Sequence, residues 1–128
     1  MDKETLRRYQ LTLREIDRLR QARRRLLDQY QAPPVMDQPR GGRGQADRIG
    51  DVAARREKYQ RQIDRLLDDL IDLRAEIEAA IAPLTSPDRR LIRLRYVDGL
   101  PWARVARELE CTEDHAQHRH GEILRLIQ

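Results

Sequence analysis

Phenylalanine is absent from the 128 residues, and aromatic side chains make up 4% of the chain. A large aromatic-rich core is therefore excluded, and an enzyme-like cleft is not expected. Lysine is almost missing as well: Lys3 and Lys58 stand against 24 arginines. Cys111 is the single cysteine, so no disulfide can close within the chain and the stapled secreted class is ruled out. No apolar run approaches the roughly 20 residues that a membrane-crossing helix needs. Met1-Asp2-Lys3-Glu4 leads into no hydrophobic export segment. A reducing cytoplasm is the expected compartment, with no membrane contact.

What the chain has in quantity is charge. The 26 basic and 22 acidic residues amount to 38% of it and leave a net +4, beside 39% hydrophobic residues. One domain of ordinary length with this balance is expected to be rich in helix. Guanidinium forks bind phosphate and carboxylate, so the arginine bias suits a polyanionic partner; a GC-rich genome that prefers arginine codons accounts for it equally well.

Residues 3–30 contain neither Gly nor Pro, and Leu6, Tyr9, Leu13 and Ile16 recur at steps of three and four, one face of a helix. The pattern then blurs. Arg20 and Arg23 occupy the next heptad positions, Leu19 and Leu26 lie one step aside, and Leu27 and Tyr30 resume the seam. Residues 31–46 carry Pro33, Pro34, Pro39, Gly41, Gly42 and Gly44, which forbid a continuous helix and predict a long connection. The arginine–glycine stretch over 40–44 suits a flexible linker better than a site for RNA or phosphate, because it is one copy without aromatics.

A second long helix is predicted over 47–82. Ile49, Val52, Arg56, Tyr59, Ile63, Leu66, Leu70, Leu73, Ile77 and Ala80 follow a coiled-coil seam with one polar interruption. Leu67, Ile71 and Ile81 widen the stripe toward a further neighbour. The first helix is net basic and the second net acidic, which favours pairing them. Their lengths, about 42 and 54 Å, leave the end of the second overhanging the first by roughly two turns in an antiparallel hairpin. Ile77, Ala80 and Ile81 are then expected to dock onto whatever follows. The same seams serve equally well within one chain or between two chains of a homodimer.

From residue 83 onward the pattern breaks into short pieces. Ser86-Pro87-Asp88 reads as a helix start with Ser86 as the cap, Leu91, Ile92, Leu94 and Tyr96 as apolar positions, and Asp98-Gly99 as the stop. A second short helix is predicted over 101–109, burying Trp102, Val105, Ala106 and Leu109. A third follows the cap Thr112, with Ala116, Ile123, Leu124 and Ile127 inward. Three short helices joined by tight turns describe a helix-turn-helix module. The expected architecture is all-α: a long antiparallel coiled-coil hairpin over 1–82 followed by this module over 83–128.

The residues from Leu84 to Tyr96, then Asp98-Gly99-Leu100, Trp102, Val105-Ala106, Leu109 and Thr112, resemble region 4 of bacterial sigma factors, which reads promoter DNA and touches the polymerase flap. The whole chain resembles small phage and prophage proteins ending in such a module, on Tyr96, Asp98, Gly99, Trp102, His115 and His120-Gly121. That group is placed with phage late-transcription regulators. The resemblance implies a non-catalytic DNA-binding regulator in a bacterial host, without cofactor or metal, whose partners are double-stranded promoter DNA and RNA polymerase. It implies a DNA-facing set of Arg104, Arg107, Glu113, Asp114, Gln117, His118, Arg119 and Arg125, with Arg89, Arg90, Arg93 and Arg95 as further phosphate contacts.

Three departures bear on that expectation. Glu110 occupies the turn position usually given to Gly, and Pro101 stands where a capping Ser or Thr is usual. The groove-facing positions are Glu113, Asp114, Gln117 and His118, where carboxylates repel phosphate but accept a hydrogen bond from the cytosine amino group. An adaptor that binds polymerase or a sigma factor without reading DNA is the second expectation, and a small-terminase-like packaging component the third. Cys111, His115, His118 and Glu122 share one helical stripe; packing and turn roles explain them better than zinc, because one helix converges poorly on a tetrahedral ion. Tyr96, Trp102 and His120 are expected to pack the small core rather than to stack on bases.

Overall fold

In the computed structural model, residues 3–30 and 45–128 are described. All regular elements among them are helical: α1 (Lys3–Tyr30), α2 (Gln45–Ile81), α3 (Ser86–Ile92), α4 (Trp102–Glu108) and α5 (Glu113–Leu126). The expected all-α class is the observed one. The connection predicted over 31–46, with its arginine–glycine stretch, lies outside the described residues except for Gln45 and Ala46, which open α2.

The chain forms two compact units, residues 1–13 with 69–128, and residues 14–68. In the first, the apolar face of α2 ends on Leu73, Ile77 and Ile81, all buried. They share one cluster with Leu6 and Tyr9 of α1, Leu91 and Ile92 of α3, Val105 of α4, and Ile123 and Leu124 of α5. The start of α1 thus meets the end of α2, the antiparallel order expected, and Ile77 and Ile81 dock onto the short helices as their spacing implied. Each fully buried aliphatic side chain contributes about 1.5–3 kcal/mol, so this cluster holds the unit together. Ile71 departs from expectation. It was placed on a widened buried stripe, yet it is 67% exposed, because it projects nearly opposite the Leu73–Ile77 line.

The helix start near residue 86 is one residue earlier than the sequence suggested. Thr85, not Ser86, is the cap residue, in extended backbone and with no side-chain cap bond. The missing N–H of Pro87 lies among the orphan donors of a first helical turn in either register, so the shift costs no hydrogen bond. The Thr85 hydroxyl instead bonds the Asp88 carboxylate. After Ile92 the chain widens into a π-helical turn, Arg93–Val97, closed by the Asp98 N–H donating to the Arg93 carbonyl at 2.9 Å. The turn lets Leu94, Tyr96 and Val97 all pack against the cluster. Gly99, at φ +67°, then reverses the chain where the sequence predicted a stop.

Between α4 and α5 the Glu110 N–H donates to the Arg107 carbonyl at 3.2 Å and the Cys111 N–H to the Ala106 carbonyl at 3.0 Å. These two bonds define a Schellman turn, which requires a left-handed residue at its centre. Glu110 supplies it at φ +55°, a conformation costing a non-Gly residue about 1–2 kcal/mol. Thr112 then caps α5, its Oγ1 accepting from the His115 N–H at 3.1 Å.

In the second unit, Ile16 and Leu19 of α1 and Ile63 of α2 are buried. Leu19 lies inside and Arg20 outside, because a 3.6-residue helix drifts off a strict heptad. Arg23 reaches across to the Gln60 side chain, which in turn donates to Asp64 at 2.8 Å. Along the expected seam of α2, Ile49 and Arg56 are exposed and Val52, Tyr59 and Leu66 only half-buried.

Candidate nucleic-acid interface

α5 is held by Ala116, Ile123 and Leu124, all buried. The line opposite them follows helical steps of four, three and four: Asp114, His118, Gly121 and Arg125. Gln117 lies on its flank, Glu113 opens the first turn three residues before Ala116, and Glu113, Asp114, Gln117, His118 and Arg125 are all exposed. The two acidic residues fill the first turn of α5, where carboxylates also favour the positive end of the helix dipole. Arg104 and Arg107 of α4 are exposed and have no ion-pair partner among the described residues.

Arg119 departs from its expected role. Its Nε and Nη2 donate to the two carboxylate oxygens of Asp88 at 2.9 and 2.5 Å, and its Nη1 to Glu122 at 2.5 Å. A guanidinium whose fork is filled this way ties α5 to α3 and is not free for a phosphate. Asp88 is correspondingly 5% exposed. The bonds from Arg119 hold its carboxyl below the usual carboxylate range, against the opposing effect of burial. The guanidinium itself is pushed upward by Asp88 and then Glu122.

Four other arginines expected at phosphates are also engaged. Arg93 forms a two-pronged pair with Glu78 at 3.0 and 2.7 Å, which lowers the Glu78 carboxyl and joins the α3 extension to α2. Arg89 donates to the Leu84 carbonyl at 2.5 Å, capping the turn after α2. Arg95 donates to the Leu100 carbonyl at 3.0 Å and lies 4.7 Å over the Trp102 ring. Arg90 stands 3.6 Å from Glu108. The outward cations of the short helices are thereby reduced to Arg104, Arg107 and Arg125, the last of which also touches the Gly121 carbonyl through Nε at 3.3 Å.

Tyr96, Trp102 and His120 meet, half-buried, at the edge of the small core that Tyr96 and Trp102 pack against as expected. The Tyr96 hydroxyl lies 2.6 Å from His120 Nε2, and the imidazole packs edge-on to Trp102 with centroids 4.9 Å apart. Burial first, then the positive charges of Arg95 and Lys3, depress the His120 pKa; burial raises that of Tyr96. The cluster fixes the rotation of α5 about its axis and so decides which residues face outward.

Cys111 borders a cavity of about 330 Å³ walled by Leu91, Leu109 and Ala116. Among the described residues no three His, Cys, Asp or Glu side chains are grouped to hold a metal ion. The Asp88–Arg119 link was invisible in sequence: both residues had a local explanation, helix dipole and phosphate contact, and 31 positions separate them. The π turn left no sequence signal either. The Tyr96–Trp102–His120 cluster did, through the spacing that carries the resemblance.

A family model described as a protein of unknown function (DUF722) matches residues 15–128. No curated protein and no solved structure matches the chain.

Proposed function

We propose that this chain, which belongs to the DUF722 family, is a phage-derived, non-catalytic transcription regulator that binds promoter DNA in a bacterial host's cytoplasm through α4 and α5, as a homodimer joined by its long helices. The observation that carries the reading is that Asp114, Gln117 and His118 of α5 are exposed, together with two exposed α4 arginines that have no ion-pair partner among the described residues. Phosphate contacts from Arg104, Arg107 and Arg125 position the helix; the short polar side chains read base edges. Gln117 suits adenine, and the carboxylates suit cytosine amino groups. With three cations facing outward on each subunit and six on the dimer, the logarithm of affinity falls with the logarithm of salt at a slope of about −5.4.

A second reading is favoured by Glu113 and Asp114 themselves: two exposed carboxylates suit a basic surface of RNA polymerase or a sigma factor. Replacing both with Ala separates the two readings. Direct DNA reading predicts that relief of phosphate repulsion tightens duplex binding by the double variant while its preference for the promoter region of its own late genes over unrelated duplex falls, both measured by fluorescence anisotropy. Adaptor action predicts unchanged duplex binding and loss of polymerase capture.

A further inference from the structure

Two of the large exposed hydrophobic residues lie in oppositely charged settings within the same compact unit. Leu11 of α1 is 49% exposed and follows Arg7 and Arg8 by one helical turn. Residues 3–11 hold three cations, Lys3, Arg7 and Arg8, against Glu4. Ile71 of α2 is 67% exposed and is followed along its face by Ala75 and Ala79, bordered by Asp72 and Glu76. Over 69–76 three carboxylates, Asp69, Asp72 and Glu76, stand against Arg74, which acts on Glu78. Arg7, Arg8, Asp72 and Glu76 are all exposed and carry no ion pair among the described residues.

We infer that these two faces are the halves of one dimer interface: the Arg7–Arg8–Leu11 face of one copy packs on the Ile71–Asp72–Ala75–Glu76 face of a second copy. A two-fold axis repeats the contact reciprocally, so each copy offers one basic and one acidic helix face. A second copy is the fitting occupant because both complements reside on the same chain and both are uncovered among its described residues. Acidic face against acidic face is excluded by like-charge repulsion. The small side chains of Ala75 and Ala79 let a partner helix approach closely, and Leu11 and Ile71 supply the apolar centre. The inference locates the dimer contact and is independent of what α5 reads.

The test is the mass of the full chain in solution, measured by sedimentation equilibrium. At about 0.1 M salt the wild type sediments with the mass of two chains, and dissociation deepens toward about 1 M, where the screening length falls from roughly 10 to 3 Å. Arg7→Glu with Arg8→Glu gives a single chain, and so does Asp72→Arg with Glu76→Arg. Both pairs lie at exposed positions, so circular dichroism should match the wild type. Mixing the two variants restores a two-chain species, because both contacts of the heterodimer regain opposite charges. A wild type with the mass of one chain overturns the inference. So does a dimer indifferent to either charge reversal, or a mixture of variants that remains single chains.

Discussion

The two compact units contain similar helix and very different interiors. In residues 1–13 with 69–128, side chains from all five helices converge on one buried cluster. In residues 14–68, two longer helical segments bury, among the described residues, only the hydrophobic side chains Ile16, Leu19 and Ile63. The seam of α2 continues through its first half, broken only at Arg56, although little is buried there, and runs on uninterrupted to the buried Leu73 and Ile77. Periodicity says which side chains share a face; it does not say whether anything covers that face. The short helices close over the end of α2 because turns and caps force the chain back onto it.

The largest test of this contrast is core truncation. Ile77→Ala or Ile123→Ala should cost about 2–5 kcal/mol, since both sites are sealed and a cavity remains. Ile49→Ala, at an exposed seam position, should fall within about 0.5 kcal/mol of the wild type. Urea titrations followed by circular dichroism compare them, and equal losses at the two sites would erase the distinction drawn between the units.

Next in size is the link from α3 to α5. Asp88→Ala removes a buried, charge-assisted acceptor and should cost about 1–3 kcal/mol. The Asp88 pKa is lowered in the folded chain. Its contribution is therefore present above the unfolded value of about 3.9 and is lost as pH falls through the lower folded value. The acid limb of the unfolding curve should flatten in the variant.

These links also mark how much was legible in the sequence. Helix α1, the approximate span of α2, the stop at Gly99, the Thr112 cap and the inward line of α5 followed from local rules, because caps, glycines and spacing act within a turn or two. The outward residues Glu113, Asp114, Gln117 and His118 came with the resemblance to sigma region 4. The roles of Arg119, Arg93 and Arg89 followed from neither, since an arginine's partner is chosen by the fold and nothing nearby in the chain distinguishes a pairing guanidinium from a free one. Ile71 misled for a related reason: an apolar residue at helical spacing looks buried whether or not a neighbour exists.

A smaller effect, of opposite sign, is expected at the α4–α5 turn. Glu110→Gly relieves the left-handed strain and should stabilise the first unit by about 1 kcal/mol, read as a raised urea midpoint. Smaller still is the His120 effect. Its folded pKa is lowered, so the unfolded chain takes up the proton first and stability declines as pH falls below about 6.5. Thermal midpoints at neutral and mildly acidic pH should differ for the wild type and converge in His120→Gln.

The most direct test of DNA binding through α4 and α5 is the salt dependence of full-chain binding to a duplex enriched from a random library. The wild-type dimer should give a log–log slope near −5.4, and Arg104→Gln with Arg107→Gln, which removes four cations from the dimer, should reduce its magnitude by about 3.6 without changing the far-ultraviolet spectrum. A failure to enrich any duplex, or a slope indifferent to both arginines, would contradict the account.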